Sequence, residues 1–254
     1  MLEVYQELLQ MISQKRRGVI ATVITSQGSA PRKAGAKMLI REDGTTAGTV
    51  GGGSVEHQVV QKARVLMESR QPEVVHFDLS GQESQTMICG GQMDILFEPV
   101  LPPETLYLFG AGHISQYTAR LGRMLGFRVV VIDPRAEYNH RERFPDADSL
   151  LVEPYEKAFS QLAVAPEDYL VIMTSGHVSD EKCLHFAVGT KARYIGMIGS
   201  NKKVREVKER LLAKAVLPEQ LERVHAPLGI EIGAETPEEI AVSILAELIK
   251  VRRS

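Results

Sequence analysis

Two cysteines, Cys89 and Cys183, are all that the 254 residues contain. That scarcity excludes a disulfide-stapled scaffold and suits a reducing cytoplasm, and neither cysteine has a CxxC partner that would spell a zinc site. A surplus of one charge is missing too. A formal net charge of −2 and an isoelectric point near 6.4 leave no electrostatic footprint for nucleic acid. No apolar run approaches the roughly 20 residues that cross a bilayer, and Met1-Leu-Glu-Val-Tyr5 has neither the basic nor the apolar segment of a signal peptide. The expectations are no nucleic-acid partner, no membrane partner and a cytoplasmic location. Internal repeats, low-complexity tracts, paired acids and a nucleophile–base–orienter arrangement are also lacking, so residues alone specify no catalytic centre. What remains is an ordinary globular composition, 44% hydrophobic and 24% charged, enough for one large or two modest domains.

Residues 2–17 carry Leu2, Tyr5, Leu8, Leu9 and Ile12 at helical spacing and end in Lys15-Arg16-Arg17-Gly18, which predicts an amphipathic helix with a cationic last turn and a glycine stop. Strands are expected at 19–25, 36–40 and 46–50, the last two joined by the hairpin turn Glu42-Asp-Gly-Thr45. A helix over 54–68 and short strands at 74–79 and 93–97 complete an α/β domain over residues 1–100. Pro99-Val-Leu-Pro102-Pro103-Glu104 reads as the linker, because proline supplies no ladder donor. Over 105–254, strands at 106–109, 128–132, 149–152, 169–173 and 194–197 alternate with helical segments, the pattern of a Rossmann-like, doubly wound parallel sheet. Thr236-Pro-Glu-Glu239 has the chemistry of a capped helix start.

The most informative stretch is Leu106-Tyr-Leu-Phe-Gly110-Ala-Gly112-His113-Ile-Ser115, a buried strand turning through glycines into a helix. Gly110 permits the turn, Gly112 lets backbone N–H groups approach a pyrophosphate, and the helix aims its positive end at that anion. Asp133 follows about 20 positions later, where a carboxylate ending the second strand binds a ribose. The third fingerprint position is Ser115 instead of glycine, and a doubly wound domain that keeps the turn without a ligand is the alternative. Thr174-Ser-Gly-His177 with Asp180, and Gly199-Ser200, also end strands and are expected to face the same crevice. His177 could bind phosphate, act as acid or base, or simply satisfy backbone groups. In the first domain Gly51-Gly52-Gly53 could form an anion cradle with Arg32 and Lys33 supplying charge, or serve tight turns alone. Cys89, before Gly90-Gly91, sits where backbone donors would favour thiolate; Cys183 lies within a predicted helix and is expected to be inert.

Together these motifs resemble the XdhC/CoxI family, accessory factors of xanthine dehydrogenase and related molybdenum hydroxylases. The likeness runs through Gly28-Ser-Ala-Pro-Arg32, Gly51-Gly-Gly-Ser-Val-Glu56, Cys89-Gly-Gly91, Phe109-Gly-Ala-Gly-His113, Asp133-Pro-Arg135, Thr174-Ser-Gly-His177, Tyr194-Ile-Gly-Met-Ile-Gly-Ser200 and Pro227 to Glu239. It implies an N-terminal XdhC/CoxI domain and a C-terminal Rossmann domain that bind the molybdenum cofactor, protect it around sulfuration and deliver it to an apo-hydroxylase. His113 and Arg135 join the candidate ligand-binding residues on this ground, and Cys89 becomes a candidate contact for molybdenum or persulfide. The position where the family often has a second cysteine is Ser54. The resemblance further implies a homodimer and a hydroxylase client, with a cysteine desulfurase as a second partner; NAD(P) or another adenine nucleotide as a second ligand follows from the glycine fingerprint instead. A cofactor chaperone without turnover fits best. An NAD(P)-dependent oxidoreductase and a nucleotide-sensing module are the competing readings.

Overall fold

The computed structural model describes residues 2–28, 30–79, 82–84, 87–89 and 91–254, with backbone alone for 82–84 and 87–89. They form two compact units, Met1–Pro102 and Pro103–Ser254. The first contains α1 (Leu2–Ser13), β1 (Gly18–Gln27), β2 (Lys37–Arg41), β3 (Thr46–Gly48), α2 (Gly53–Ser69), β4 (Glu73–Asp78), β5 (Gln82–Ser84), β6 (Met87–Cys89) and β7 (Gln92–Val100). Five of the strands make an antiparallel sheet in the order β3-β2-β1-β7-β4, while β5 and β6 pair with each other. Strand alternation divides the sheet between two helices. Val19, Ala21, Val23, Met38 and Ile40 face Val55, Val59, Ala63 and Leu66 of α2, and the intervening Ile20 and Leu39 face Val4 and Met11 of α1.

The opening helix is shorter than its periodicity predicts. It ends at Ser13, Lys15 takes φ 55°, and Gly18 begins β1, where a Cβ would lie 2.8 Å from the Ile40 carbonyl oxygen. The glycine therefore serves close sheet packing, and the cations turn to the β2–β3 hairpin, where Arg16 pairs with Asp43 at 2.5 Å. The last strand runs through Val100, into the proline-rich segment. Pro99 pairs with Val19 of β1, but β4 makes its last pairing at Phe97, so the missing N–H falls where β7 has become an edge.

The second unit contains β8 (Thr105–Phe109), α3 (His113–Met124), β9 (Arg128–Ile132), β10 (Ser149–Leu151), α4 (Tyr155–Phe159), β11 (Tyr169–Ile172), α5 (His177–Val188), β12 (Tyr194–Met197), α6 (Asn201–Ala213), α7 (Pro218–Glu222), β13 (Val224–His225) and α8 (Pro237–Arg253). Its sheet is wholly parallel, in the order β10-β9-β8-β11-β12-β13. Tyr107, Phe109, Leu170 and Ile172 pack toward Leu184 of α5 and Val207 of α6. Their neighbours Leu106, Leu108, Val129 and Val171 pack toward Ala119 of α3 and Ile244 of α8. Burial on both faces explains why these strands read as continuous apolar runs. Strand order reverses between β8 and β11, and such a reversal opens a crevice at the carboxyl ends of the strands.

Candidate functional site

Two helices, α3 and α5, start on either side of that reversal. At the first, Gly110 has φ 108° and donates its N–H to the Ile132 carbonyl at 2.8 Å. A Cβ there would stand 2.3 Å from the Met173 carbonyl oxygen, so only glycine fits. Gly112 caps α3 with no side-chain cap bond, and a Cβ built on it would meet nothing within 4 Å. Ser115 is fully buried and its hydroxyl donates to the Gly110 carbonyl at 2.5 Å. The serine at the third fingerprint position thus ties the helix to the turn, a role that its residue type does not announce.

The second start repeats the plan. Gly176 caps α5, again with no side-chain cap bond and with open space around a built Cβ. His113 and His177 are the first residues of their helices, and both are exposed. First-turn N–H groups without intrahelical partners, at the positive end of a macrodipole, favour an anion by about 0.3–1 kcal/mol per helix. A hollow of about 290 Å³ lies against Gly112, His113, Thr174, Ile198 and Pro237. A larger one, about 770 Å³, runs along Gln116–Met124 and 142–147 and touches none of the glycine turns. Glu238, at the start of α8, is held below the usual carboxylate range by a hydrogen bond from Tyr117 and, more weakly, by His113.

Both acids expected to face this crevice have their carboxylates engaged inside the protein. Asp133 is completely buried. Its Oδ2 accepts from the Ala111 N–H at 2.8 Å and from Arg135 Nη2 at 2.8 Å, and its Oδ1 from the Arg135 N–H at 3.0 Å and Nε at 2.9 Å. Burial alone would raise its pKa, but these donors outweigh burial and lower it. The carboxylate holds the glycine turn from behind instead of presenting free lone pairs to a ribose. Asp180 is likewise buried: Thr174 donates to its Oδ1 through Oγ1 at 2.7 Å and N at 3.2 Å, and Lys203 Nζ lies 2.5 Å from its Oδ2. Ser200 is exposed and caps α6, accepting from the Lys203 N–H at 3.3 Å. Lys203, which the sequence reading did not single out, thus pairs with Asp180 from α6. Its helical position, three after the Ser200 cap, was the available signal.

In the first unit, Gly52 and Gly53 have φ 92° and 59° and open space around them. They begin α2, which has no side-chain cap bond either. Arg32 is exposed. Glu56, in the first turn of α2, accepts a short hydrogen bond from Thr49, so this helix start also carries a negative charge. Cys89 ends β6; its side chain and Gly90 lie outside the described residues. Cys183 is buried and burial pushes its thiol pKa up, which makes it inert toward nucleophilic chemistry. Among the described residues no three His, Cys, Asp or Glu side chains are grouped to hold a metal, and no helix is long and apolar enough to cross a membrane.

Residues 106–248 match the XdhC Rossmann domain, and residues 11–78 match the XdhC and CoxI family. Among curated proteins, the chain is 32% identical to Escherichia coli YqeB, an uncharacterized protein, aligning over all of this chain and 47% of that one. It therefore spans about half the length of YqeB. It is 24% identical to a Bacillus subtilis protein named as a probable xanthine dehydrogenase subunit, over 96% of each chain. It is also 24% identical to the molybdenum cofactor insertion chaperone PaoD of Escherichia coli, over 92% of this chain and 83% of PaoD. A crystal structure from Bacillus halodurans, described as a xanthine dehydrogenase, matches with a TM-score of 0.52 and 28% identity over 97% of this chain and 95% of that one. With more than half its length inside the Rossmann-domain match and most of its first unit inside the other, this chain belongs to the XdhC/CoxI family.

Proposed function

We propose that the protein is an accessory factor in molybdenum-hydroxylase maturation, one that binds the molybdenum cofactor, shelters it around sulfuration and hands it to an apo-hydroxylase. The observation that carries this reading is the crevice between β8 and β11, where Asp133, just after β9, and Asp180, in the first turn of α5, are tied inward and the uncapped helix starts at Gly112 and Gly176 offer donors. A phosphate ester suits such a surface, and no base is oriented toward a nucleophile there, which favours holding over turnover. The residues fit the cofactor's phosphate: both cap glycines leave open the space that a Cβ would fill. In this reading the N–H groups of α3 and α5 hold the phosphate, with His113 and His177 beside it. The first unit, taken by itself, offers the glycine turn at Gly52 and Gly53, Arg32 and Cys89 as its own candidate contacts. When bound, the cofactor supplies the molybdenum centre that the client uses; a soft thiolate at Cys89 is a suitable contact for molybdenum or a carrier of persulfide.

The relative named as an insertion chaperone and those named for xanthine dehydrogenase support this role and a hydroxylase client. A cysteine desulfurase as sulfur source and a homodimeric state belong to the same proposal. Incubation of the full-length protein with molybdopterin, followed by gel filtration and reconstitution of an apo-hydroxylase, tests it. Co-elution and activation of the client are expected. Cys89→Ser is expected to reduce retention or reconstitution with little change in folding. Equal delivery by that variant would remove the thiol from the mechanism, and failure of the wild-type chain to retain molybdopterin would overturn the reading itself.

A further inference from the structure

The carboxylate of Asp133 has no capacity left for a ribose. It offers about four lone-pair sites, and the Ala111 N–H together with the N–H, Nε and Nη2 of Arg135 fill four of them at 2.8–3.0 Å. A sugar diol could enter only by displacing the guanidinium or by breaking the Ala111 bond that braces the glycine turn. Arg135 itself is a third exposed, and its Nη1 has no partner among the described residues. Its guanidinium carbon lies 4.2 Å from the centroid of the Tyr138 ring, which fixes its plane. Arg143 sits over the same ring at 5.5 Å, with its buried Nε and Nη2 unpartnered among the described residues. Two guanidiniums thus share one tyrosine after β9: Arg135 is paired with Asp133, and Arg143 lines the larger hollow together with Glu142 and Asp146.

We infer that Arg135, and not Asp133, reads the far end of the ligand in this crevice, and that the ligand is a nucleotide carrying a phosphate on its ribose. The inference rests on the crevice being a phosphate site, as proposed above, and names the class of ligand that uses it beside or in place of the pterin. Guanidinium and phosphate match in geometry, and a charged acceptor makes stronger use of the outward Nη1 donors than a neutral diol does.

Calorimetric titration of the full-length protein with 2′,5′-ADP, 5′-AMP, NADP⁺ and NAD⁺ tests this. The expected result is that each 2′-phosphorylated ligand binds roughly 10-fold tighter than its unphosphorylated counterpart, the size of one good charge-assisted contact. Arg135→Gln should erase the preference. Because that change also unpairs a buried acid, Asp133→Asn provides the second arm: it leaves Arg135 uncompensated, so 2′,5′-ADP should bind several-fold tighter while 5′-AMP changes little. Equal affinities, a preference for NAD⁺, no nucleotide binding, or a loss of 5′-AMP binding in Asp133→Asn would each overturn the inference. Gly112→Val separates the two levels. If it abolishes molybdopterin retention while the wild type shows no 2′-phosphate preference, only this inference fails; if it changes the binding of none of these ligands, the crevice reading fails with it.

Discussion

Gly110 and Gly112 are two residues apart and differ in what they require. Gly110→Ala would force a side chain onto a backbone with φ 108° and into the Met173 carbonyl, which is expected to cost more than about 3 kcal/mol or prevent folding. Gly112 has an ordinary φ of −73° with room around it, so Gly112→Ala should change stability by less than about 0.5 kcal/mol yet weaken any ligand whose phosphate approaches that backbone. Thermal melts paired with ligand titration check the contrast; a stable Gly112→Ala protein with unaltered affinity would count against the crevice. The sequence alone could supply the pair of glycines but not their different roles, because spacing says nothing about which neighbour stands opposite. The same holds for Asp133: its place after the second strand was legible, whereas its closure by Arg135 depends on a side chain two residues on folding back. Ser115 is the counterpart, a departure from the fingerprint whose hydroxyl replaces close packing with a hydrogen bond.

Among the elements, α8 is the one whose start the sequence spelled out in full. Thr236 accepts from the Glu239 N–H at 3.3 Å, while the Glu239 carboxylate accepts from the N–H groups of Glu235 at 2.8 Å and Thr236 at 3.1 Å. Thr236→Ala is expected to cost about 1 kcal/mol, or about 2–4 °C in melting temperature for a domain of this size. Because Pro237 lines the hollow at Gly112, ligand affinity should fall in the same variant, and a melting shift without that loss would separate the cap from the site. Local chemistry of this kind is readable because it is contained in four consecutive residues. The end of α1 was not, since the hairpin carboxylates Glu42 and Asp43 draw the arginines after Ser13 away from the helix. Strands β5, β6 and β13 are two or three residues long, too short to generate a period, and they exist only through their partners.

Across the whole molecule, acid should be the more damaging pH extreme for the second unit. Glu247 ties the 225–229 segment to α8, accepting from Tyr194 at 2.6 Å and Gly229 N at 2.8 Å and pairing with His225 Nδ1 at 2.8 Å. Burial pushes its pKa up, but these partners outweigh burial and lower it, as Arg135 and the backbone do for Asp133. With folded values below the unfolded ones of about 4.3 and 3.9, the unfolded chain binds more protons between the two. The stabilisation is therefore complete above roughly pH 5 and is lost as pH falls through the folded values. Urea melts between pH 3 and 7 should show a steep acid limb, and Glu247→Gln should flatten it while lowering stability at pH 7. An unchanged limb would mean that other carboxylates dominate.

Cys183 turns this chain into its own clock for opening. With Cys89 replaced by serine, the one remaining thiol lies at 0% exposure in the core between β11 and α5, so a thiol-specific reagent can reach it only when the second unit breathes or unfolds. The labelling rate at fixed pH, compared with and without a candidate ligand, then reports how far that ligand closes the opening, with no need for an enzymatic readout.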